Sequence, residues 1–320
     1  TMARVLITGG AGFIGSTVAI NSLNKGHEVV VLDNLSSGST KVLEHLESLG
    51  AYTIIGDIRD SNSVINAMQG CDAVVHLAAQ ISVPASIENP QKNNSINVEG
   101  TQLILNYCKQ FDVKRVIVAS SAAVYGQEDR LPLKEESAGD LLSPYAVSKW
   151  ENEQQIIGTR IDGQNTVALR FFNVYGPGQS ANGGYAAVIP KFIDMMIDGK
   201  APTINGDGLH TRDFVHVDDV SKLILTIIED EWFAVENHVY NVATGNKTSL
   251  LDLVASIKKG LESNSINTDN LSPVFEEERP GDIRHSVADV QRVARDYGWE
   301  AVVPFEEGII SLVEYTLDQR

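Results

Sequence analysis

The first half of the chain alternates short apolar runs with segments of helical length. The apolar runs lie at residues 4–8, 28–32, 52–56, 73–78, 115–120 and 166–171. Each run is continuous, which is typical of strands that are buried on both faces. Between them, residues 101–110 place Leu103, Ile104 and Tyr107 on one helical face. This alternation predicts an α/β fold with a doubly wound, Rossmann-type parallel sheet.

The pattern changes after residue 171, where a loop rich in glycine and asparagine precedes a helical run at residues 188–197. Strand and helix resume at residues 212–228, with Asp218 or Asp219 expected as the helix cap. The apolar face of that helix comprises Val220, Leu223, Ile224, Ile227 and Ile228. We therefore predict a nucleotide-binding domain of residues 2–171 plus about 212–245, and a smaller mixed α/β substrate domain of about 172–211 plus 246–320.

Composition narrows the class of protein. The 320 residues are 43% hydrophobic and 21% charged, which is enough apolar material for a real core. The net charge of -17 argues against a nucleic-acid or anionic-membrane surface. Cys71 and Cys108 have no partners at metal-ligand spacing, so we expect no metal site. No run approaches a membrane span and no signal-peptide pattern is present, so we expect a cytoplasmic protein.

A glycine-rich turn follows the first predicted strand. Gly9, Gly12 and Gly15 are spaced by three residues ahead of a helix, where they let the backbone approach a pyrophosphate. Asp33 ends the second strand, 18 residues beyond Gly15, and its carboxylate suits a ribose diol but repels a 2'-phosphate. The simpler alternatives are an ordinary turn and a solvated acid. The position of both features favours an NAD site.

Tyr145 and Lys149 lie one helical turn apart in the stretch "SPYAVSKW". Ser143 is a good helix cap and Pro144 suits the first helical position, so the two side chains share one face. The spacing alone does not separate a reactive pair from ordinary helix surface.

Nine short motifs follow one another along nearly the whole chain. They are "GGAGFIG", "DN", "HLAA", "NVEGT", "SSAAVYG", "YAVSK", "RFFNVYGP", "TRDFVHVDD" and "RPGD". Their order resembles the extended short-chain dehydrogenase/reductase family, and within it the nucleotide-sugar 4-epimerases.

The resemblance implies that Tyr145 is the acid/base, that Lys149 lowers its pKa and holds the nicotinamide ribose, and that Ser121 bonds the reacting hydroxyl. A phenol with an ordinary pKa near 10 is a poor base, and an adjacent ammonium favours the phenolate. The other residues implied for tightly bound NAD+ are Gly9, Gly12, Phe13, Ile14, Gly15, Asp33, Asn34, Asp57, Ile58, Leu77, Ala78, Ala79, Asn97 and Phe172.

The reaction implied is epimerisation at C4 of a UDP-sugar. By the same resemblance, the related 4,6-dehydratases and decarboxylases carry a carboxylate before "VYG". This chain has Ala122 and Ala123 there instead. That leaves removal of a hydride, rotation of the keto sugar and return of the hydride. The nucleotide must stay anchored throughout, a role that the resemblance gives to Asn173, Arg212, Arg279 and Asp282.

Ser286 is the main indication of which sugar binds. The resemblance places a bulky tyrosine there in enzymes restricted to plain hexoses, so a serine leaves room for an N-acetyl group. The segment at residues 176–192 also resembles UDP-N-acetylglucosamine 4-epimerases. UDP-glucose/UDP-galactose and UDP-N-acetylhexosaminuronates are the alternatives. The full set of implied substrate contacts is Ser82, Ser121, Ala122, Asn173, Gln179, Ala187, Val188, Arg212, Arg279, Asp282 and Ser286.

Further hypotheses concern the assembly, two histidines and the alternative functions. The helices of residues 101–110 and 145–157 resemble the pair that forms a four-helix bundle in family dimers, so a homodimer is expected. His210 and His216 are interpreted as structural. A reductase with net redox chemistry and a non-catalytic NAD(H)-binding regulator are the functional alternatives.

Overall fold

A computed structural model describes residues 2–159, 162–182, 186–230 and 237–320. Its strands are β1 Arg4–Thr8, β2 Glu28–Asp33, β3 Tyr52–Ile55, β4 Ala73–His76, β5 Arg115–Ser121, β6 Asn165–Phe171, β7 Asn173–Tyr175, β8 Thr203–Asn205, β9 Thr211–Arg212, β10 Phe214–His216, β11 Val239–Val242, β12 Thr248–Ser249 and β13 Val274–Glu276. Its α-helices are α1 Phe13–Asn24, α2 Thr40–Ser48, α3 Ser61–Met68, α4 Val83–Glu88, α5 Pro90–Asn94, α6 Gly100–Gln110, α7 Pro144–Thr159, α8 Val188–Ile197, α9 Val217–Glu229, α10 Leu250–Ser263, α11 Gln291–Tyr297 and α12 Phe305–Asp318.

Seven of these strands form one parallel sheet in the order β11-β6-β5-β4-β1-β2-β3. The predicted doubly wound α/β fold is therefore confirmed. The strand order reverses between β1 and β4, because β1 continues through β2 to one edge while β4 continues through β5 to the other. Ligands of such sheets bind beyond the carboxyl ends of the strands at this point.

Helices cover both faces of the sheet, and each face has its own hydrophobic cluster. Successive side chains of a strand point to opposite faces, so Val5 and Ile7 of β1 join one cluster and Leu6 joins the other. The first cluster includes α1, α2 and α9, and the second includes α3 and α6. The predicted apolar face of α9 is fully buried in the first.

A third hydrophobic cluster lies among α8, β8, α10 and α12. This separate cluster supports the predicted second domain, and the two-domain division stays a prediction. Some buried residues depart from the predicted boundaries. Phe214 packs in the third cluster, whereas Val293 and Trp299 pack in the first.

Two local expectations are wrong. The strand β3 is not buried on both faces: Tyr52 and Ile55 are exposed, since β3 is the last strand of the sheet and has a neighbour on one side only. The cap of α9 is His216, whose Nδ1 accepts from the backbone N–H of Asp218 at 3.1 Å. The carboxylate of Asp219 instead accepts from Val302 and Val303 ahead of α12.

Within the described segments, none of the helices has the length and hydropathy needed to cross a bilayer.

The contribution of α2 to the stability of the core can be tested at two leucines, one inside the last turn of the helix and one directly after it. Leu46 is buried in the first cluster, while Leu49 is 42% exposed. We expect Leu46→Ala to lower the free energy of unfolding by about 2–5 kcal/mol, because it removes buried methyl groups and leaves a cavity. Leu49→Ala is the matched control and should change it by less than about 0.5 kcal/mol. Urea denaturation measures both, and equal losses would contradict the assignment of Leu46 to the core.

Candidate active site

The predicted site residues gather at the carboxyl edge of the sheet. Thr8 of β1 pairs with Leu32 of β2 on one side and with His76 of β4 on the other. The loops that follow these strands therefore start side by side at the reversal in strand order. Ser121, at the end of β5, lies on the same edge.

The glycine-rich loop connects β1 to α1 through close backbone contacts. Gly9 has φ of +70°, and a Cβ there would lie 2.8 Å from the backbone nitrogen of Ala78. A Cβ at Gly15 would lie 2.3 Å from the carbonyl oxygen of Gly9. Gly12 is the N-cap of α1 without a side-chain cap, and Phe13 begins the helix. The free amide groups of this helix end suit a phosphate.

Asp33 is fixed by the backbone on both sides of its carboxylate. Its Oδ2 accepts from the N–H of Ala11 at 2.9 Å, and its Oδ1 accepts from the N–H of Leu35 at 2.8 Å. The residue is buried, and each carboxylate oxygen keeps a further lone pair for a ligand. The preceding glycine loop and Asp33 are thus one hydrogen-bonded unit.

A second carboxylate, that of Asp57 after β3, forms an ion pair with Arg59, which was not predicted from the sequence. Asp57 accepts from Arg59 Nε and Nη2 at 2.9 and 2.8 Å, and from Asn34 at 3.4 Å. The hydrogen bonds from Arg59 lower the pKa of Asp57 to about 2. Ile58 between them is buried. A ligand here meets an ion pair rather than a free carboxylate.

A chain of buried hydrogen bonds, called the relay below, joins the loop after β4 to β1. The hydroxyl of Thr8 accepts from the N–H groups of Leu77 and Ala78, both at 3.1 Å. Its own proton therefore goes to His76 Nδ1, 2.7 Å away, and His76 Nε2–H donates to Thr101 at 2.9 Å. Burial lowers the pKa of His76 to about 3, so the imidazole is neutral. Neither Thr8 nor His76 was singled out in the sequence.

Asn97 joins the same loop to the helix that carries Tyr145. Its Oδ1 accepts from the N–H of Gln80 at 2.8 Å, and its Nδ2 donates to Gln80 O at 2.9 Å and to Ser148 at 3.1 Å. The described contacts of the Asn97 side chain are therefore with protein, which favours a positioning role. Ala79 and Ser82 nearby are half-buried, and Ser82 caps α4.

Helix α7 begins as its sequence predicts. Pro144 is its first residue, and Ser143 accepts from the N–H of Ala146 at 3.0 Å. Tyr145 and Lys149 lie on its buried face, with the ammonium 5.8 Å from the centre of the Tyr145 ring.

The three predicted catalytic side chains come together between β5 and α7. The hydroxyl of Ser121 accepts from the N–H of Ala123 at 3.1 Å, and it lies near enough to the Tyr145 phenol to lower the pKa of that phenol. The ammonium of Lys149 donates to Ala119 O at 3.0 Å. Ala122 follows Ser121 in a short 3-10 turn.

Burial dominates the electrostatics of this cluster. It raises the pKa of Tyr145, and the nearby Ser121 hydroxyl opposes that shift in part. This direction differs from the expectation that Lys149 lowers the pKa of the phenol. Burial also lowers the pKa of Lys149 to about 8. A charged ligand group placed here would act strongly, because the surroundings contain little water to screen it.

A single buried carboxylate ties together the segments on the substrate side. Asp213 accepts from Thr244 N and Oγ1 at 2.8 and 2.7 Å, from Gly245 N at 2.9 Å and from Ala288 N at 3.2 Å. Its own carbonyl accepts from Asn173 N at 3.1 Å. Burial raises the pKa of this carboxyl. Segments far apart in sequence are thereby held at one point.

The predicted anchors lie around that point. Arg212 is half-buried, and burial lowers its pKa against the opposing charge of Asp282. Arg279 and Asp282 are exposed, and Asp282 N donates to Arg279 O. In the amide orientation that satisfies both groups, Asn205 Oδ1 accepts from Arg279 Nε at 3.1 Å and Nη2 at 3.2 Å. Asn205 was not predicted.

Other predicted contacts have mixed surroundings. Phe172 is buried, with its ring 5.9 Å from that of Tyr125, and Val188 is half-buried. Gln179 is half-buried, and its Oε1 has no partner among the described residues. Ala187 is exposed and precedes α8. Residues 183–185, inside the segment that resembles N-acetylglucosamine enzymes, lie outside the described residues.

Ser286 is half-buried, and its N–H donates to Thr211 O at 3.1 Å, which places it beside Arg212. His210 pairs with Glu278 at 3.0 Å, and His216 caps α9. Both histidines thus make structural contacts, as interpreted. In the described parts of the chain, no group of three or more His, Cys, Asp or Glu is arranged to hold a metal ion.

Comparison with known proteins places this site in a family. The pattern described as "NAD dependent epimerase/dehydratase family" matches residues 5–243. The chain belongs to that family. The UDP-glucose 4-epimerase of Mycolicibacterium smegmatis is 34% identical over 316 residues, which cover 98% of each chain. The resemblance seen in the motifs is therefore confirmed.

Two solved structures of the NAD dependent epimerase/dehydratase type share the fold. The UDP-N-acetylglucosamine 4-epimerase from Methanobrevibacter ruminantium, in complex with UDP-N-acetylmuramic acid, has a TM-score of 0.91 at 35% identity and covers 100% of both chains. The UDP-glucose 4-epimerase from Thermotoga maritima with UDP-glucose has a TM-score of 0.89 at 33% identity and covers 99% of both.

NAD is the cofactor of this epimerase/dehydratase family, and the residues present fit it. A side chain at Gly9 or Gly15 would collide with neighbouring backbone atoms. Because both residues are glycine, the loop packs closely and leaves the backbone N–H groups at the start of α1 free to bind a phosphate. The buried carboxylate of Asp33 is positioned for a ribose diol.

Thr8 supports this cofactor edge, and its loss can be measured. We expect Thr8→Val to lower the free energy of unfolding by about 1–3 kcal/mol, because the N–H groups of Leu77 and Ala78 lose their buried acceptor. It should also weaken NAD binding. Thr226→Val, which removes an exposed hydroxyl on α9, is the control. Denaturation and calorimetric NAD titration measure the two effects, and a variant as stable as the control would contradict the relay.

Proposed function

We propose that this protein is an NAD-dependent UDP-sugar 4-epimerase that interconverts sugars differing at C4. The observation that carries the proposal is the buried cluster of Ser121, Tyr145 and Lys149 at the carboxyl edge of the sheet. The 4-epimerase relatives of similar length support it.

The residues after Ser121 favour epimerisation over elimination. Ala122 and Ala123 form the turn that faces the reacting centre and supply no carboxylate. The buried carboxylate of Glu153 beside this strand end is engaged by Ser120 and Arg170. Among the described residues at this strand end, no free carboxylate is therefore left for proton chemistry at other carbons of the sugar, which favours chemistry at C4.

Tyr145 is proposed as the acid/base and Ser121 as the group that holds the 4-hydroxyl. The Ser121 oxygen accepts from Ala123 N, and its O–H is left to donate to a ligand. When bound, NAD would supply the acceptor and then the donor for the hydride exchanged at C4. Lys149 is proposed to orient the ribose and to raise the proportion of phenolate.

The proposed nucleotide anchors are Asn173, Arg212, Arg279 and Asp282. Arg212 is the strongest of them, because a half-buried guanidinium in a site of low dielectric binds a diphosphate with charge-assisted hydrogen bonds. A firm grip on the diphosphate lets the sugar turn while the nucleotide stays in place.

UDP-N-acetylhexosamines are the proposed substrates. Ser286 is small and lies beside Arg212, so the sugar end of the site has no bulky side chain at that position. The complex from Methanobrevibacter ruminantium holds an N-acetylated ligand, which supports this choice. UDP-glucose is the second candidate, since the relative from Thermotoga maritima binds it.

A homodimer is proposed through α6 and α7. Their outer faces, with the helical turn that precedes α6, form an open groove lined by Val98, Glu99, Gln102, Leu103, Asn106, Glu151 and Gln155. That turn carries Asn97 and α7 carries Tyr145, so dimerisation would stiffen the site. Light scattering of the purified protein measures this, and a monomer at micromolar concentration would reject it. The cytoplasmic location and the firm retention of NAD+ stay predictions.

The reaction itself is tested by NMR of the purified protein with UDP-N-acetylglucosamine and, separately, with UDP-glucose, without added NAD. We expect the C4 epimer of the N-acetyl sugar to form, because the cofactor is retained and regenerated in each cycle. Tyr145→Phe should lower kcat about 100- to 10,000-fold while the protein still binds NAD. No epimer from either sugar, even with NAD supplied, would reject the proposal.

The role of Ser286 is tested by Ser286→Tyr. The larger side chain should lower kcat/KM for the N-acetyl substrate by roughly tenfold or more and leave UDP-glucose turnover nearly unchanged. Ser180→Tyr, at an exposed position, is the control. Equal loss for both sugars would show that Ser286 does not select the substituent.

A further inference from the structure

A buried ion pair lies directly behind the catalytic cluster. Arg170 of β6 donates from Nε to Glu153 Oε1 at 2.6 Å and from Nη2 to Oε2 at 2.9 Å. The two side chains are 4% and 2% exposed. A buried ion pair gains little net stability over a well-packed apolar pair. Stability alone therefore does not explain the pair, and its contacts with neighbouring residues indicate what else it does.

Glu153 completes a stripe of three contacts between α7 and β5. The residues Tyr145, Lys149 and Glu153 are spaced by four along the helix and are buried on one face. Tyr145 contacts Ser121, Lys149 donates to Ala119 O, and Glu153 Oε1 accepts from Ser120 at 2.8 Å. Three consecutive residues of the strand thus meet three successive turns of the helix.

The pair also reaches the sugar end of the site. Arg170 Nη1 donates to the Tyr125 hydroxyl at 3.0 Å, and that hydroxyl donates to Asn241 Oδ1 at 2.5 Å. Asn241 Nδ2 then donates to Asp289 O at 3.0 Å, three residues beyond Ser286. Burial raises the pKa of Tyr125 to about 12, so this phenol keeps its proton and the direction of the chain is fixed.

We propose that Glu153, held by Arg170, is a positioning residue that fixes α7 on the end of β5, so that the Ser121 hydroxyl keeps its place beside the Tyr145 phenol. The proposal rests on the proposed function, in which Tyr145 is the acid/base. Ser120 transmits the restraint, since its hydroxyl joins the strand to the helix beside Ser121.

The groups that face Tyr145 define what loosening this restraint would do. Lys149 faces it from its own helix and Ser121 from β5. His76 of β4 is neutral, because burial and the nearby charge of Lys149 lower its pKa. Because the nearby Ser121 hydroxyl lowers the pKa of Tyr145, displacing that hydroxyl raises the pKa. The phenolate is the base, so activity on the acid side of the pH profile would move to higher pH.

Ser120→Ala is the decisive variant, and Ser22→Ala is its matched control. Ser22 is equally buried, and its hydroxyl donates to Val18 O in α1, away from the site. For Ser120→Ala we expect the acid limb of the kcat profile to move up by about half a pH unit, with a roughly threefold lower kcat on that limb and KM within about twofold. Ser22→Ala should lower stability and leave the profile in place. Profiles that coincide for both variants would overturn the proposal.

Glu153→Gln gives a second measurement on the same device. It keeps the shape of the side chain but leaves the Arg170 charge uncompensated, and because a positive charge favours the phenolate, the upward shift should be smaller than in Ser120→Ala. If this variant does not fold, Ser120→Ala alone decides.

A readout that needs no turnover separates this proposal from the proposed function. The ionisation of Tyr145 is followed by the ultraviolet difference spectrum of tyrosinate between the NAD-loaded protein and its Tyr145→Phe variant. A Tyr145 titration at higher pH in Ser120→Ala supports positioning even if no sugar is epimerised. An unchanged titration overturns it even if the wild type epimerises UDP-sugars.

Discussion

The reversal in strand order between β1 and β4 is the constraint on which the rest of the structure depends. The connections after β1 and β4 leave the sheet in opposite directions, so the two loops separate and open a crevice at the carboxyl edge. The loops that line this crevice are held together by hydrogen bonds between β1 and β4, the two strands at the reversal. Thr8 and His76 supply them from adjacent strands, and the neutral imidazole adds no charge beside Lys149. The cofactor edge and the catalytic edge are therefore joined by uncharged hydrogen bonds.

Features that depend on local sequence were predicted well. The strands, the start of α7 at Ser143 and Pro144, and the glycine turn all follow from short-range preferences. The approach of Ser121 to Tyr145 was also anticipated, although only through resemblance to a family. Spacing along one helix cannot show which strand lies opposite.

Features that depend on tertiary contacts were missed. Arg59 forms an ion pair with Asp57, and His216 caps α9 in place of Asp218 or Asp219. Both contacts depend on how the loops lie in the folded protein. The pKa of Tyr145 shows the same limit. An adjacent lysine suggests a lower pKa, but the burial that raises it is a property of the packed protein and has no signature in the motif.

Asp213 has a consequence for the order in which the protein is completed during synthesis. Its carboxylate collects hydrogen bonds from Thr244, Gly245 and Ala288. The strands β1 to β6 have all left the ribosome well before Ala288 is made. A nascent chain can thus assemble most of the sheet before the segment around Ala288 emerges and joins Asp213 on the substrate side of the site.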